Sequence, residues 1–237
     1  MPQFDLIGFD ADDTLWHNER AYQEAQDRFA EILAKYQPQG WVREKLLQTE
    51  IRNLAHFGYG IKAFVLSMIE SGIELTGGQI SGSDISSLIE MARAMLNAEV
   101  ELLPGVRETI PSLAATHPLV LITKGDLLDQ ERKITRSGLE SYFPQVEIVS
   151  QKNSETYERI LKARGTSPGR FLMVGNSLRS DVLPILSMGG SAVYIPYPFT
   201  WEHEYAETPP AGTPGFHTLE NFGSLPTLLK QLEAAGE

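Results

Sequence analysis

Three aspartates in four positions, Asp10, Asp12 and Asp13, follow directly on the apolar run Phe4–Phe9. Like charges this close repel one another, and a cluster of them at the end of a buried strand calls for a cation. In an extended segment Asp10 and Asp12 point to the same side. A divalent ion could there take oxygen from Asp10 and from the backbone near Asp12, and magnesium suits a hard-oxygen, phosphate-handling site of this kind. The competing reading is an aspartate-rich turn that caps a helix beginning near Leu15.

Three further groups follow apolar runs in the same way. Leu119–Thr123 leads into Lys124-Gly125-Asp126, where a hydroxyl at a strand end and the free N–H groups after it form a natural phosphate cradle. Threonine is also an ordinary strand residue, and Gly-Asp an ordinary turn pair. Val146–Ser150 leads into Gln151-Lys152-Asn153, where Lys152 offers fixed positive charge or is a solvated lysine before a helix cap. Phe171–Gly175 leads into Asn176 and, one turn on, Asp181; both could reach a metal, or Asp181 could sit as a favourable charge at a helix N-terminus. Four such groups after four successive strands meet where open α/β sheets bind ligands, at the carboxyl edge.

Those runs, with Ser191–Ile195, read as strands buried on both faces of a parallel sheet. Helical patterns alternate with them over about Leu127–Ser137, about Ser154–Arg164, from a cap at Ser180 to before Gly189, and over about Leu225–Ala234. This is the signature of an α/β domain. The stretch from about Asn18 to Val100 differs: it has no strand pattern and reads as helices over about 18–36, 41–56, 60–74 and 84–97. Tyr197–Gly215 is rich in proline and turn residues and reads as a loop. Within it, Trp201, His203 and Glu204 resemble metal ligands but read as loop surface; Trp16, His17, His56 and Tyr59 could face a substrate but read as packing or surface.

The net charge of −11 disfavours nucleic acid and anionic membranes as partners. An anionic substrate would therefore need local positive charge in its site. Cysteine is absent, which excludes disulfides and thiolate metal sites. No apolar run approaches the ~18 residues of a membrane span. Met1-Pro2-Gln3-Phe4-Asp5 lacks the pattern of an export signal, so a cytoplasmic location is the expectation.

In order and spacing these motifs resemble the haloacid dehalogenase superfamily. Its Asp-x-Asp-x-Thr motif is matched by Asp10-Ala11-Asp12-Asp13-Thr14, its strand-ending hydroxyl by Thr123, its lysine before a helix by Lys152, and its acidic loop by Gly175-Asn176 through Asp181. The resemblance covers about 4–195 of the chain. It implies a Rossmann-like parallel sheet with helices on both faces, formed by 1–17 and 101–237, and an inserted all-helical C1-type cap over 18–100. It further implies a Mg²⁺-dependent phosphatase of small-molecule phosphate monoesters. Asp10 would be the nucleophile, forming an aspartyl-phosphate, and Asp12 the acid and base. Thr123, Lys124 with its neighbouring amides, and Lys152 would hold the phosphoryl oxygens; Asp10, Asp12 through its backbone carbonyl, Asn176 and Asp181 would hold the metal. Asn176 departs from the aspartate common at that position and ligates without charge. A dehalogenase or a phosphomutase on the same fold, or a binding protein that kept the fold, are the alternatives. Asp12 argues against a dehalogenase, which needs no leaving-group acid.

Overall fold

The computed structural model describes residues 3–235. Met1, Pro2, Gly236 and Glu237, which the domain ranges and the export-signal reading include, lie outside the described residues. In chain order the main elements are β1 (Leu6–Phe9), α1 (Glu19–Leu33), α2 (Gln39–Phe57), α3 (Ile61–Leu75), α4 (Gly82–Asn97) and α5 (Val106–Ala114). Then come β2 (Leu119–Lys124), α6 (Leu127–Ser137), β3 (Gln145–Val149), α7 (Ser154–Ala163) and β4 (Phe171–Gly175). Last are α8 (Leu183–Ser187), β5 (Ser191–Tyr194), β6 (Phe216–Thr218) and α9 (Leu225–Ala235). They divide into two compact units. One comprises Met1–His17, Val100–Lys124 and Glu131–Glu237; the other comprises Asn18–Glu99 with Gly125–Gln130.

The first unit is built on one sheet in the order β3-β2-β1-β4-β5-β6, every neighbouring pair parallel. The continuous apolar runs have a simple cause: alternate residues of each central strand serve opposite faces. Ile7, Phe9, Leu121, Leu172 and Val174 pack with Val106 and Ile110 of α5, Ile134 of α6 and Leu225 and Leu229 of α9. Leu6, Val120, Ile122, Phe171 and Met173 pack with Tyr157 and Ile160 of α7 and Ile185 of α8. The result is an α/β fold with helices on both faces. Strand order reverses around β1, which lies between β2 and β4, so the loops after these strands meet at a topological switch point.

Two elements have no clear sequence signature. Helix α5 carries Pro111 in its interior, where proline typically costs about 3 kcal/mol. Strand β6 is only Phe-His-Thr and lies at the sheet edge beside β5. One cap also moves. The helix after β4 is capped by Ser177, whose hydroxyl accepts from the Ser180 N–H, and not by Ser180. A π-helical turn over Leu178–Val182 intervenes before α8. The wider π turn shifts the hydrogen-bond start upstream of the expected cap.

In the second unit α1 to α4 share one core: Phe29 and Leu33, Val42 and Leu46, Phe64 and Met68, and Leu88. Ser81 caps α4 by accepting from the Asp84 N–H at 3.0 Å. The loop after β2 joins this unit by contact, with the Lys62 ammonium 2.8 Å from Asp126. The α2–α3 seam is polar: Asn53 Nδ2 donates to Ser67 Oγ (3.1 Å) and Glu70 Oε2 (2.7 Å).

Glu50 on α2 is the misfit of this unit. Its Oε2 is buried without a hydrogen-bond partner, and burial, helped by the nearby Glu19 charge, pushes its pKa up to about 8. The folded state therefore binds this proton more tightly than the unfolded chain, whose glutamate titrates near 4.5. Its contribution is most favourable below that pH, declines as pH rises, and is lost above about 8. Glu50→Gln is expected to be close to neutral at pH 4.5 and to stabilise the protein at pH 9 by a few kcal/mol, with about 5 kcal/mol as the upper bound. Urea unfolding of both proteins at the two pH values checks this; equal stabilities at pH 9 would refute it.

Candidate functional site

The sequence-derived site residues lie in the α/β unit. The Asp10 N–H donates to the Val174 carbonyl at 2.9 Å, so the chain leaves β1 still tied to β4. It then turns sharply. Asp13 adopts the left-handed conformation with φ 61, one that aspartate tolerates better than most residues. The N–H groups of Thr14 and Leu15 both return to the Ala11 carbonyl, at 3.2 and 2.8 Å. This turn carries the Thr14 hydroxyl back to Asp10 Oδ2 (3.1 Å) and across to Asn176 Oδ1 (3.3 Å).

Lys152 is fixed between β3 and α7. Asn153 caps α7 by accepting from the Thr156 N–H at 2.9 Å. The lysine side chain is 2% exposed, so it is not a solvated one. Its ammonium donates to Asp10 Oδ1 and, at 2.8 Å, to Asp181 Oδ1. Asp181 reaches this position because Gly175 has no side chain; a Cβ there would lie 2.2 Å from Asp181 Oδ2. The Ser177 N–H holds that same oxygen at 3.0 Å. Lys152, Thr14 and Ser177 thus draw Asp10, Asn176 and Asp181 into one oxygen-rich cluster.

Burial is the main force on the Asp10 pKa and, with the charges of Asp181 and Asp12, pushes it up to about 7 against the pull of Lys152. Burial also opposes the Lys152 charge, but Asp10 and Asp181 outweigh it and raise the lysine pKa. Lys152 favours the ionised form of Asp10, and burial and the neighbouring acids favour the protonated one.

Asp12 is held separately. Its carboxylate accepts from the Trp16 indole N–H (2.7 Å) and from Lys133 (3.0 and 3.2 Å). The two aspartates expected to act together are therefore gripped by different lysines. Thr123 is fully buried at the end of β2, its hydroxyl in a long 3.4 Å contact with the Lys124 carbonyl. The Lys124 ammonium points to Ser180 Oγ (2.9 Å) and Glu204 Oε1 (2.6 Å). Trp16 is a buried core residue, His17 Nδ1 lies 2.7 Å from the Tyr197 hydroxyl, and His56 is exposed. Tyr59 is half-buried, and the Trp201 and His203 rings lie 4.9 Å apart.

Two residues of this constellation escaped the sequence reading. Lys133 has no motif to mark it. Glu204 stands in the Trp201-Glu202-His203-Glu204 stretch, whose sequence reads as loop surface; in the structure it is largely buried between Lys124, Ser177 and Ser180.

The residues fit a hard cation. Among the described residues no three Asp, Glu or His side chains form a ready-made metal cage. The donor set is instead two carboxylates, Asp10 and Asp181, with the Asn176 amide oxygen, all oxygen atoms of the kind magnesium prefers. Among the described residues Lys152 is the ammonium within hydrogen-bond reach of both carboxylates, whose charges sum to more than its own.

The haloacid dehalogenase-like hydrolase family model matches residues 4–189. The chain belongs to this family. A solved haloacid dehalogenase-like family hydrolase from Xanthomonas campestris is 41% identical, with a TM-score of 0.89 over 99% of this chain and 98% of that one. The glyceraldehyde 3-phosphate phosphatase of Pyrococcus furiosus is 30% identical over 100 residues, 40% of this chain and 42% of its own. The N-acylneuraminate-9-phosphatase of Mus musculus is 25% identical over 134 residues, 54% of this chain and 52% of its own. The matches thus span about half the length of these curated relatives. As a haloacid dehalogenase-like hydrolase the chain is an enzyme, and no helix among its described residues is long and apolar enough to cross a membrane.

Proposed function

We propose that this hydrolase is a Mg²⁺-dependent phosphatase of small phosphate monoesters, with Asp10 as nucleophile. The observation that carries this reading is the buried cluster in which Lys152 joins Asp10 to Asp181 while Thr14 joins Asp10 to Asn176. The phosphatase relatives support the substrate class.

In the proposed reaction an ionised Asp10 oxygen attacks phosphorus and the ester P–O bond breaks. Asp12 gives its proton to the leaving alcohol oxygen. Water then attacks the phosphorus of the aspartyl-phosphate, Asp12 takes the proton back, and the Asp10–phosphorus bond breaks to release inorganic phosphate. Lys152, the Thr123 hydroxyl and the amides from Lys124 onward donate to the phosphoryl oxygens. Asp10, the Asp12 carbonyl, Asn176 and Asp181 are the proposed Mg²⁺ ligands, and the ion would supply positive charge to those oxygens. Lys133 and Trp16 orient Asp12. The helical unit takes the role of the family's C1 cap and selects the substrate.

Phosphate release from an aryl phosphate and a panel of metabolite phosphates tests the reading, with Mg²⁺ and with chelator. Chloride release from 2-chloropropionate is followed beside it. The expected result is Mg²⁺-dependent phosphate and no chloride. Metal-independent chloride release without phosphate would establish a dehalogenase; an isomerised sugar phosphate without free phosphate would establish a mutase.

A further inference from the structure

The loop after β5 reaches across the loops that follow three other strands. Tyr197 meets His17, beyond β1. Glu204 meets Lys124 at the end of β2, and Ser177 and Ser180 beyond β4. The His203 carbonyl accepts from Arg179. Glu204 is the buried member of this set: its side chain is 14% exposed, and both carboxylate oxygens are engaged. Burial works against its charge, but the Lys124 ammonium and the two serine hydroxyls prevail and hold its pKa at about 2. A carboxylate does not enter such a place without a structural consequence, since charged groups are rarely buried unless paired.

We propose that Glu204 is a positioning residue that locks the Ser177–Asp181 turn and thereby sets the orientation of the Asp181 carboxylate. The chain of bonds is short. Glu204 Oε2 accepts from Ser177 Oγ and from Ser180 Oγ, each at 2.6 Å. Ser177 Oγ accepts from the Ser180 N–H at 3.0 Å, and the Ser177 N–H donates to Asp181 Oδ2 at 3.0 Å. Ser177 is therefore held on one side by Glu204 and holds Asp181 on the other. Along the π-helical turn Leu178–Val182 the Asp181 N–H donates to the Ser177 carbonyl at 2.8 Å, and the Glu204 bonds add side-chain ties to that backbone one. Lys124 completes the arrangement: it offsets the Glu204 charge while reaching Ser180 itself. Asn176 precedes Ser177 directly and shares the benefit. Because Asn176 brings no charge, the cluster depends on Asp181 for its second carboxylate, and a loosened Asp181 has no acidic substitute nearby in that turn.

This inference rests on the assignment of Asp181 to the cation, and its test keeps the two apart. Mg²⁺ alone, without substrate, is titrated against the full chain, and binding is read as the rise in melting temperature, which follows the ratio of free ion to Kd. Groups that orient metal ligands typically contribute 10–100-fold to affinity. Glu204→Ala is therefore expected to weaken Mg²⁺ by about tenfold or more. Glu204→Gln, whose amide oxygen still accepts a serine hydroxyl, is expected to fall between it and wild type. Arg179→Ala, which removes the exposed anchor to the His203 carbonyl, is expected to bind Mg²⁺ as wild type does. A merely structural role would lower the ion-free melting temperature of Glu204→Ala and leave its Mg²⁺ response unchanged, which overturns the inference. If Glu204→Ala does not fold, the Glu204→Gln comparison decides, and an unchanged Mg²⁺ response there overturns it equally. Wild-type protein that shows no Mg²⁺ response removes the metal assignment beneath it and overturns both.

Discussion

Asp10→Asn is expected to lower Mg²⁺-dependent phosphate release by at least about 10⁴-fold in a protein that still folds. The size follows from the role proposed for this side chain. Asp10 supplies the oxygen that bonds to phosphorus, so an amide there removes the covalent route itself, not one stabilising contact along it. Folding is expected to survive because Lys152 keeps its second partner: the ammonium still donates to Asp181 Oδ1 at 2.8 Å. Thr14, which donates to Asp10 Oδ2, can donate to the amide oxygen of asparagine in the same place. The loss of one carboxylate also relieves the repulsion from Asp181 and Asp12 that helps to raise the Asp10 pKa. Steady-state phosphate release and a melting curve on the same preparation check both halves. Activity within tenfold of wild type, with contaminating phosphatase excluded, would show that another group is the nucleophile.

The parts of this fold that sequence makes readable are those whose physics is local. Strands β1, β4 and all but the last two residues of β2 are apolar without alternation because each buries both faces. Helices α1 to α4 place Phe29, Leu46, Phe64 and Leu88 on a shared core, and their amphipathic spacing is equally direct. Helix α5 escapes notice because Pro111 contradicts it locally, and packing of Val106 and Ile110 against the sheet overrides that cost. Strand β6 is too short to show a period. The site divides in the same way. Asp10, Asp12, Lys152 and Asp181 can be named as candidates because each follows a strand end in a fixed order. Lys133 and Glu204 cannot, because their partners are remote: Lys133 pairs with Asp12 across 121 positions, and Glu204 with Lys124 across 80. Nothing local requires these charges. Only the assembled sheet brings the loops together, and only then do Asp12 and Lys124 acquire these counter-charges. Residue type and strand order therefore suggest which groups react, while the groups that orient them emerge from topology.

Lys152→Met is expected to have the largest effect on stability of any substitution in the site. It removes the ammonium from between two carboxylates whose residues are 7% and 1% exposed, Asp10 and Asp181. Breaking a buried ion pair by taking one partner is typically worth about 3–5 kcal/mol, because the charge left behind is neither hydrated nor compensated. Methionine matches the length of the lysine stem, so little of the loss comes from a cavity. The triple variant Lys152→Met, Asp10→Asn, Asp181→Asn separates the two origins. With no charge stranded, it is expected to recover most of the stability while remaining inactive. Activity of the single variant is expected to fall by about 10²–10³-fold through loss of a donor to the phosphoryl oxygens alone. Urea unfolding of wild type, single and triple variants provides the check. A single variant within about 1 kcal/mol of wild type would mean that removing the ammonium strands no charge on Asp10 and Asp181. A triple variant as unstable as the single one would mean that Lys152 serves the fold by packing, and the charge argument for a cation between these carboxylates would fall with it.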